Sequence, residues 1–386
     1  MTNDIRWDEV QPLWRAVESV VRENTRRVVD AFRQSGLSTP DLMGSTGYGY
    51  DDRGRVILDA IYARIMGTES ALVRPQWASG THALATALRA ITAPGRRLVV
   101  MSGPPYDTLM PTVTRLSEEG VVVQRLSLAE VSHLSPGDVL YIQRSRGYSG
   151  RPSWGRSQIT EAARFAHRFG ANVLVDNCYG EFTQPEEPGD WGADLVVGSL
   201  MKNPGGTLAP TGAYAAGRRD LTERVADQLF APGIGGEVGA TGPYLRLFAQ
   251  GLFLAPQLVG EALMGGIYAG YKAKQLGLRA DPEPEAHERN DIVVALELGT
   301  ADRVVAFCQA IQSWSPVDAL AAPEPWPMPG YQHPIIMAAG GFIAGGSLEL
   351  SADAPIRPPY RVFLQGGVNR WHTMLAVDAA FQALGY

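Results

Sequence analysis

The sequence predicts an α/β fold built on a mostly parallel sheet, followed by a smaller C-terminal domain. Three observations predict it. Between about residues 56 and 200, segments with helical spacing of apolar residues alternate with short apolar runs. Those runs are apolar nearly throughout, as strands are when helices cover both faces of a sheet. After about residue 251 the strict alternation weakens into helices and then a stretch rich in Pro and Gly.

Taken in order, residues 7–36 place Val10, Leu13, Trp14, Val17, Val20, Val21, Val28, Val29 and Phe32 at helical spacing, which predicts one or two amphipathic helices. G-S-T-G-Y-G-Y-D-D-R-G-R at 44–55 predicts a loop set close against something, and a helix follows at 56–66. Further helices are predicted at 82–91, 107–118 and 159–169, with strands at 97–102, 121–126, 139–142, 172–176 and 195–198. Helices at 252–277, a strand-like run at 291–298 and a closing helix at 371–384 complete the reading. The expected division is a helical arm with its loop (1–55), a large domain (56–280) and a small domain (281–386).

With 386 residues, 45% of them hydrophobic and 19% charged, the chain is long enough for a large core and more than one domain. A net charge of -6 without a basic run argues against nucleic acid as a partner. Residues 1–8 are polar and acidic, and no uninterrupted apolar stretch approaches the roughly 20 residues of a membrane span, so a cytoplasmic protein with no membrane partner is expected. Cys178 and Cys308 stand far apart, and His82, His133, His167, His287, His333 and His372 show no ligand spacing, so no metal site is expected. Lysine occurs only at Lys202, Lys272 and Lys274 among 34 basic residues. A lysine can lose its proton and condense with a carbonyl, which arginine cannot do.

In open α/β sheets ligands sit at the carboxyl ends of strands, where Ser102, Asp176 and Ser199 close the predicted runs. A-S-G-T-H-A-L, starting at Ala78, is a small-residue turn opening a helix, and Gly80 and Thr81 there are placed to hold a phosphate. A plain helix cap by Ser79 accounts for that turn equally well. Asp176 ends the apolar run N-V-L-V-D and needs a buried partner; a protonated pyridine nitrogen is one. D-L-V-V-G-S-L-M-K-N-P-G-G carries Lys202 just past a strand, beside glycines that would let a ring approach. A phosphate turn, a strand-ending Asp and a lysine 26 residues later form a far narrower combination than any one of them.

That order resembles the fold type I pyridoxal-phosphate enzymes of cysteine and methionine metabolism. The blocks G-Y-G-Y-D-D-x-G-R, R-P-Q-x-x-S-G-T-H-A, P-Y-D-T-L, D-N-C-Y-G-E-F, G-S-L-x-K-N-P-G-G, G-I-G-G-E-V-G-A, A-Q-G-L-F-L-A-P and A-P-I-R-P-P-Y, across residues 47–360, resemble bacterial methionine γ-lyase-like proteins often labelled aluminium-resistance proteins. The resemblance implies a large domain with a mostly parallel seven-stranded sheet and a smaller C-terminal α+β domain. It implies pyridoxal 5′-phosphate as cofactor, with Lys202 as its Schiff-base lysine and proton shuttle and Asp176 as partner of the pyridinium. Ser79, Gly80, Thr81 and Ser199 become phosphate contacts. Tyr106 becomes the ring stacked on the cofactor, which also assists the leaving group. Tyr50 would reach the phosphate of a neighbouring subunit, giving a homodimer or homotetramer with shared active sites. Two positions beyond Tyr50 the family carries an Arg, where this chain has Asp52, which leaves Arg53 or Arg55 as substitutes.

An amino-acid substrate needs its carboxylate held, and a guanidinium does this bidentately. Arg357 and Arg361 are candidates, as are Arg144 and Arg146 at another predicted strand end. The implied reaction is γ-elimination, expelling a thiol from an L-amino acid. Expulsion of a γ-halide to give an unsaturated or alkynyl amino acid, transamination, and a non-catalytic regulator that keeps the cofactor remain as alternatives.

Overall fold

A computed structural model describes residues 7–328 and 331–386; residues 1–6, the polar start of the expected arm, lie outside the described residues. The elements in chain order begin with α1 (Trp7–Ser35), α2 (Arg53–Met66), β1 (Ser70–Arg74), α3 (Gly80–Ile91), β2 (Arg97–Val100), α4 (Met110–Glu118) and β3 (Val122–Arg125). They continue with β4 (Val139–Gln143), α5 (Arg156–His167), β5 (Asn172–Asp176), β6 (Leu195–Ser199), β7 (Ala213–Gly217), α6 (Arg219–Leu229) and α7 (Leu245–Gln275). The last are β8 (Arg279–Asp281), β9 (Val293–Glu297), α8 (Ala301–Ser313), β10 (Ile335–Ala339), β11 (Ser351–Pro355), β12 (Arg361–Gln365) and α9 (Arg370–Ala383).

Among the described residues the strands form a seven-stranded sheet, ordered β1-β7-β6-β5-β4-β2-β3, and a five-stranded sheet, ordered β10-β11-β12-β9-β8. In the first, β7 runs antiparallel to both neighbours and the remaining pairs are parallel, as expected for a mostly parallel sheet. The second is antiparallel throughout.

Two strands of the large sheet were not foreseen. In β7, A-Y-A-A-G carries none of the β-branched residues that mark a strand. Its place is fixed by β1 and β6 on either side, where small side chains suffice under the covering helices. Five-residue β1 lies too close to α2 to show a pattern of its own. The Pro- and Gly-rich tail likewise hides α8 and three strands of the small sheet.

The N-terminal segment is one helix, and its buried Val10, Trp14, Val17 and Val28 pack it onto α7. By length and composition α7 could cross a membrane, contrary to the reading of the sequence, yet 61% of its apolar window is buried inside the fold. It is the spine between the two sheets. The boundary expected at residue 280 cuts β8, so the small sheet begins at Arg279.

Candidate active site

A cavity of about 1100 Å³ opens between the carboxyl ends of the large sheet's parallel strands and one face of the small sheet. Alternate residues of the small sheet turn to it: Met337 and Ala339 on β10, Ser351 and Asp353 on β11, Phe363 and Gln365 on β12. Their neighbours Ala338, Ala352 and Leu364 go into the core, as a two-residue period requires.

The helix turn forms as expected. Ser79 caps α3, its Oγ accepting from the His82 N–H at 3.1 Å, and the first-turn N–H groups have no intrahelical acceptor. Ser79, Gly80 and Thr81 all line the cavity. A Cβ at Gly80 would meet Ser199 Cβ at 3.1 Å and Cys178 Sγ at 3.2 Å, so glycine here lets α3 close on the ends of β5 and β6. The His82 Nδ1 accepts from the Ala78 N–H at 3.2 Å, a structural role.

Asp176 is fully buried at the end of β5. Its Oδ1 accepts from the Cys178 N–H at 3.1 Å and its Oδ2 from the Tyr141 hydroxyl at 3.3 Å. Burial pushes the carboxyl from 3.8 up to about 6, against the Cys178 N–H and thiol, Lys202 and Tyr141, which all favour the anion. Lys202 lies in the cavity with its Nζ 3.7 Å from the centre of the Tyr179 ring. Burial works against its charge, but Tyr179, Cys178 and Asp176 outweigh burial and leave the ammonium above its ordinary pKa.

The glycines after Lys202 do a different job from the one expected. A Cβ on Gly206 would meet the Gly251 carbonyl oxygen of α7 at 2.2 Å, and one on Gly205 the Leu200 carbonyl oxygen of the same turn at 1.6 Å. Gly206 admits α7 and Gly205 lets the turn close on itself, so together they pin the lysine-bearing turn to the spine.

Tyr106 lines the cavity; its backbone N–H donates to Gln143 Oε1 at 2.9 Å and its buried hydroxyl has no hydrogen-bond partner. Burial, then Asp176, Cys178, Tyr179 and Tyr141, push that hydroxyl's pKa well up. Ser199 lines the cavity, whereas Ser102 is buried, accepting from the Gln143 N–H at 2.8 Å.

The arginines separate. Arg146 and Arg357 line the cavity, Arg146 bonded to Asp281 at 3.1 Å and Arg357 to the Tyr148 carbonyl at 3.2 Å. Arg144 does not belong to the site. It is fully buried, bonded to Asn177 Oδ1 at 2.7 Å and the Gly180 carbonyl at 2.9 Å, paired with Glu187 at 3.5 Å and set over the Trp191 ring. A guanidinium so enclosed holds the loop after β5 in place. Arg361 also falls outside the cavity lining, paired with Glu297 at 3.1 Å on the small sheet.

Tyr50 is 61% exposed and stacked on Tyr48 rather than set against this chain's own cavity. Asp52 caps α2, accepting from the Arg55 N–H at 2.9 Å and Thr241 Oγ1 at 2.6 Å. Arg55 is spent on the carbonyls of Gly49, Gly239 and Glu237, at 2.8, 2.9 and 2.9 Å. Of the two substitutes, Arg53 alone stays exposed, tethered to Asp41 at 2.6 Å.

Sequence reasoning missed Tyr179, Tyr148 and Asp353. Tyr179 has a left-handed backbone (φ 70), uncommon for a tyrosine and found where surrounding structure holds it. Only its place two residues after a strand-ending Asp-Asn could have marked it.

A mixed sheet of this order, with a buried strand-end Asp and a lysine at the cavity, is the architecture of fold type I pyridoxal-phosphate-dependent enzymes. Within that class the chain belongs to the methionine gamma-lyase family, whose sequence model matches residues 3–385. YnbB of Bacillus subtilis is 40% identical, over 97% of this chain and 94% of that one. A solved structure from Listeria monocytogenes superposes with a TM-score of 0.94 at 40% identity, covering 97% of each chain. Another, from Clostridium novyi and described as a carbon-sulfur lyase involved in aluminum resistance, gives 0.91 at 37% identity, covering 98% of this chain and 93% of that one. The family is one of pyridoxal-phosphate-dependent lyases.

Proposed function

We propose that this protein holds pyridoxal 5′-phosphate and cleaves the Cγ–S bond of an L-amino acid by γ-elimination. The observation that carries the reading is the meeting of Lys202 and the amino end of α3 around one cavity, with Asp176 buried just behind its wall and bonded to the cavity-lining Cys178. The donor set fits the cofactor. Gly80 and Thr81 N–H groups, with the hydroxyls of Thr81 and Ser199, suit a phosphate at a helix N-terminus. Asp176, costly as a lone buried anion, suits a protonated ring nitrogen. The unpartnered Tyr106 stands beside the space as a flat aromatic wall.

When bound, the cofactor supplies an aldehyde that condenses with amines and a ring that disperses the negative charge of an α-carbanion. Lys202 would hold the group through its amine and, with that amine free, would take the proton from Cα and then one from Cβ. Asp176 keeps its positive partner protonated. Arg146 or Arg357 holds the substrate carboxylate; Arg146, 2% exposed, is the better positioned.

Tyr50, with its exposed neighbours Met43, Tyr48 and Val56, supports a second copy of this chain as the partner, completing the phosphate site across the interface.

The test is direct. The purified protein should be yellow, and borohydride should abolish the colour by fixing the cofactor to Lys202, located by peptide mass. Incubated with γ-substituted amino acids, it should release thiol and 2-oxo acid. Formation of pyridoxamine phosphate without any leaving group would replace the lyase reading with transamination.

A further inference from the structure

We infer that Asp353 is the acid that gives the departing sulfur its proton. The assignment rests on the lyase reading above. Asp353 lies in the middle of β11 on the face turned to the cavity and is 7% exposed. Its Oδ2 accepts both of its hydrogen bonds, from the Tyr148 hydroxyl at 3.0 Å and from Gln365 Nε2 at 3.0 Å. Oδ1 has no partner among the described residues and is left to the cavity. A buried carboxyl with an unused oxygen is costly unless it carries a proton or meets a donor.

Its surroundings say which part of a substrate it meets. Tyr179, whose ring lies under Lys202 Nζ, packs with Tyr148 on the cluster of Val293, Ala295 and Phe363, so it links the lysine to the Tyr148–Asp353 pair on the small-sheet wall. The phosphate turn and Asp176 belong to the other wall, and a carboxylate repels the substrate's own carboxylate. What remains is the side chain beyond Cβ. Tyr148 and Gln365 bond to Asp353; Tyr331, in ring contact with Tyr148, and Tyr179, packed beside it, stand on the same side, Lys202 acts on its charge, and the Cys308 thiol lies behind. Burial lifts its pKa to about 6, against the pull of Tyr148 and Lys202, so the group can hold and release a proton near neutrality.

In this step the pair released when Lys202 takes a proton from Cβ forms the Cβ–Cγ double bond, and the Cγ–S bond breaks with its own pair going to sulfur. The carboxylic O–H of Asp353 breaks and its proton goes to the same sulfur. A thiol departs, and the carboxylate left behind takes a proton from water entering the open cavity.

The test is Asp353→Asn in the cofactor-loaded protein, with homocysteine thioethers whose leaving thiols range from alkyl to nitroaryl. Release of alkyl thiols should fall by about 100-fold or more, and the loss should shrink below about tenfold for the most acidic aryl thiols. The cofactor's absorbance and the exchange of the α-proton with deuterated water should stay within about twofold, since neither needs a leaving-group acid. The wild type's decline in thiol release above its acid's pKa should vanish in the variant. Tyr148→Phe, which removes a donor to the carboxylate and keeps the acid, should move that decline to higher pH. An equal loss for every thiol, or a parallel loss of α-proton exchange, overturns the assignment. So does a loss confined to substrates with a second ammonium group, which would make Asp353 a recognition residue. Wild-type protein that neither exchanges the α-proton nor releases thiol overturns the lyase reading itself.

Discussion

Asp353 lines the cavity from the small sheet and Asp176 is buried behind its wall at a strand end of the large one, and burial lifts both carboxyls from 3.8 to about 6. Asp176 closes a parallel strand, and both its oxygens are engaged, by Cys178 and Tyr141. Asp353 stands mid-strand in an antiparallel sheet with one oxygen engaged and one open. The same electrostatic cost therefore serves two ends. A carboxyl locked on both oxygens is a fixed counter-charge, while one held by a single oxygen is free to exchange a proton with what lies before it.

The comparison can be broken in several ways, the largest first. Lys202→Ala, which removes the proposed base, should slow α-proton exchange by about 10⁴-fold, the upper range for a positioned acid or base, and abolish borohydride fixation at that position. Retained fixation would mean that the cavity is not organised around Lys202. Asp176→Asn should slow α-proton exchange by about 10- to 100-fold, the value of a charge-assisted hydrogen bond, and weaken cofactor retention during dialysis. If it instead spared exchange and blocked only thiol release, the two carboxyls would have to trade roles.

A third prediction concerns stability without cofactor. For both groups the folded pKa lies above the unfolded value, so the folded chain binds protons more tightly, and stability falls as pH rises from about 4 to about 6. Asp176→Asn should remove its share of that decline and, above pH 6, melt roughly 2–5 °C higher than wild type without cofactor. Melting curves across pH, with and without cofactor, check this; a variant less stable at every pH would mean that Tyr141 and Cys178 fully offset the burial.

Shared sites predict that inactive Tyr50→Ala and Lys202→Ala chains, mixed and refolded, recover part of the activity, because each hybrid keeps one intact site. No recovery would confine the site to one chain. Least in effect, Gly80→Ala should weaken cofactor binding severalfold, because its Cβ presses on Ser199 and Cys178. Equilibrium titration of the absorbance measures it.

Much of the large-domain wall was legible in the sequence. Asp176 and Lys202 each follow an apolar strand within a few residues, and Ser79 opens a helix, so local order alone sets them at one edge of the sheet. The arginines were not separable, because a guanidinium at a strand end reads alike whether it turns to the cavity, as Arg146 does, or inward, as Arg144 does. Nor was Asp353 legible: S-A-D-A-P lies in a tail whose Pro and Gly mask the strands.

The sequence by itself determined that Lys202, Asp176 and the turn at Ser79 stand at one edge of the large sheet, because strand ends in a parallel sheet carry their side chains to a common edge. Only the tertiary structure decided what stands opposite them. The small sheet reaches the cavity through α7, across more than a hundred residues of chain, and a strand's alternation says which residues share a face but not what that face meets. Packing against the spine makes that choice, and with it turns a mid-strand Asp into part of the site.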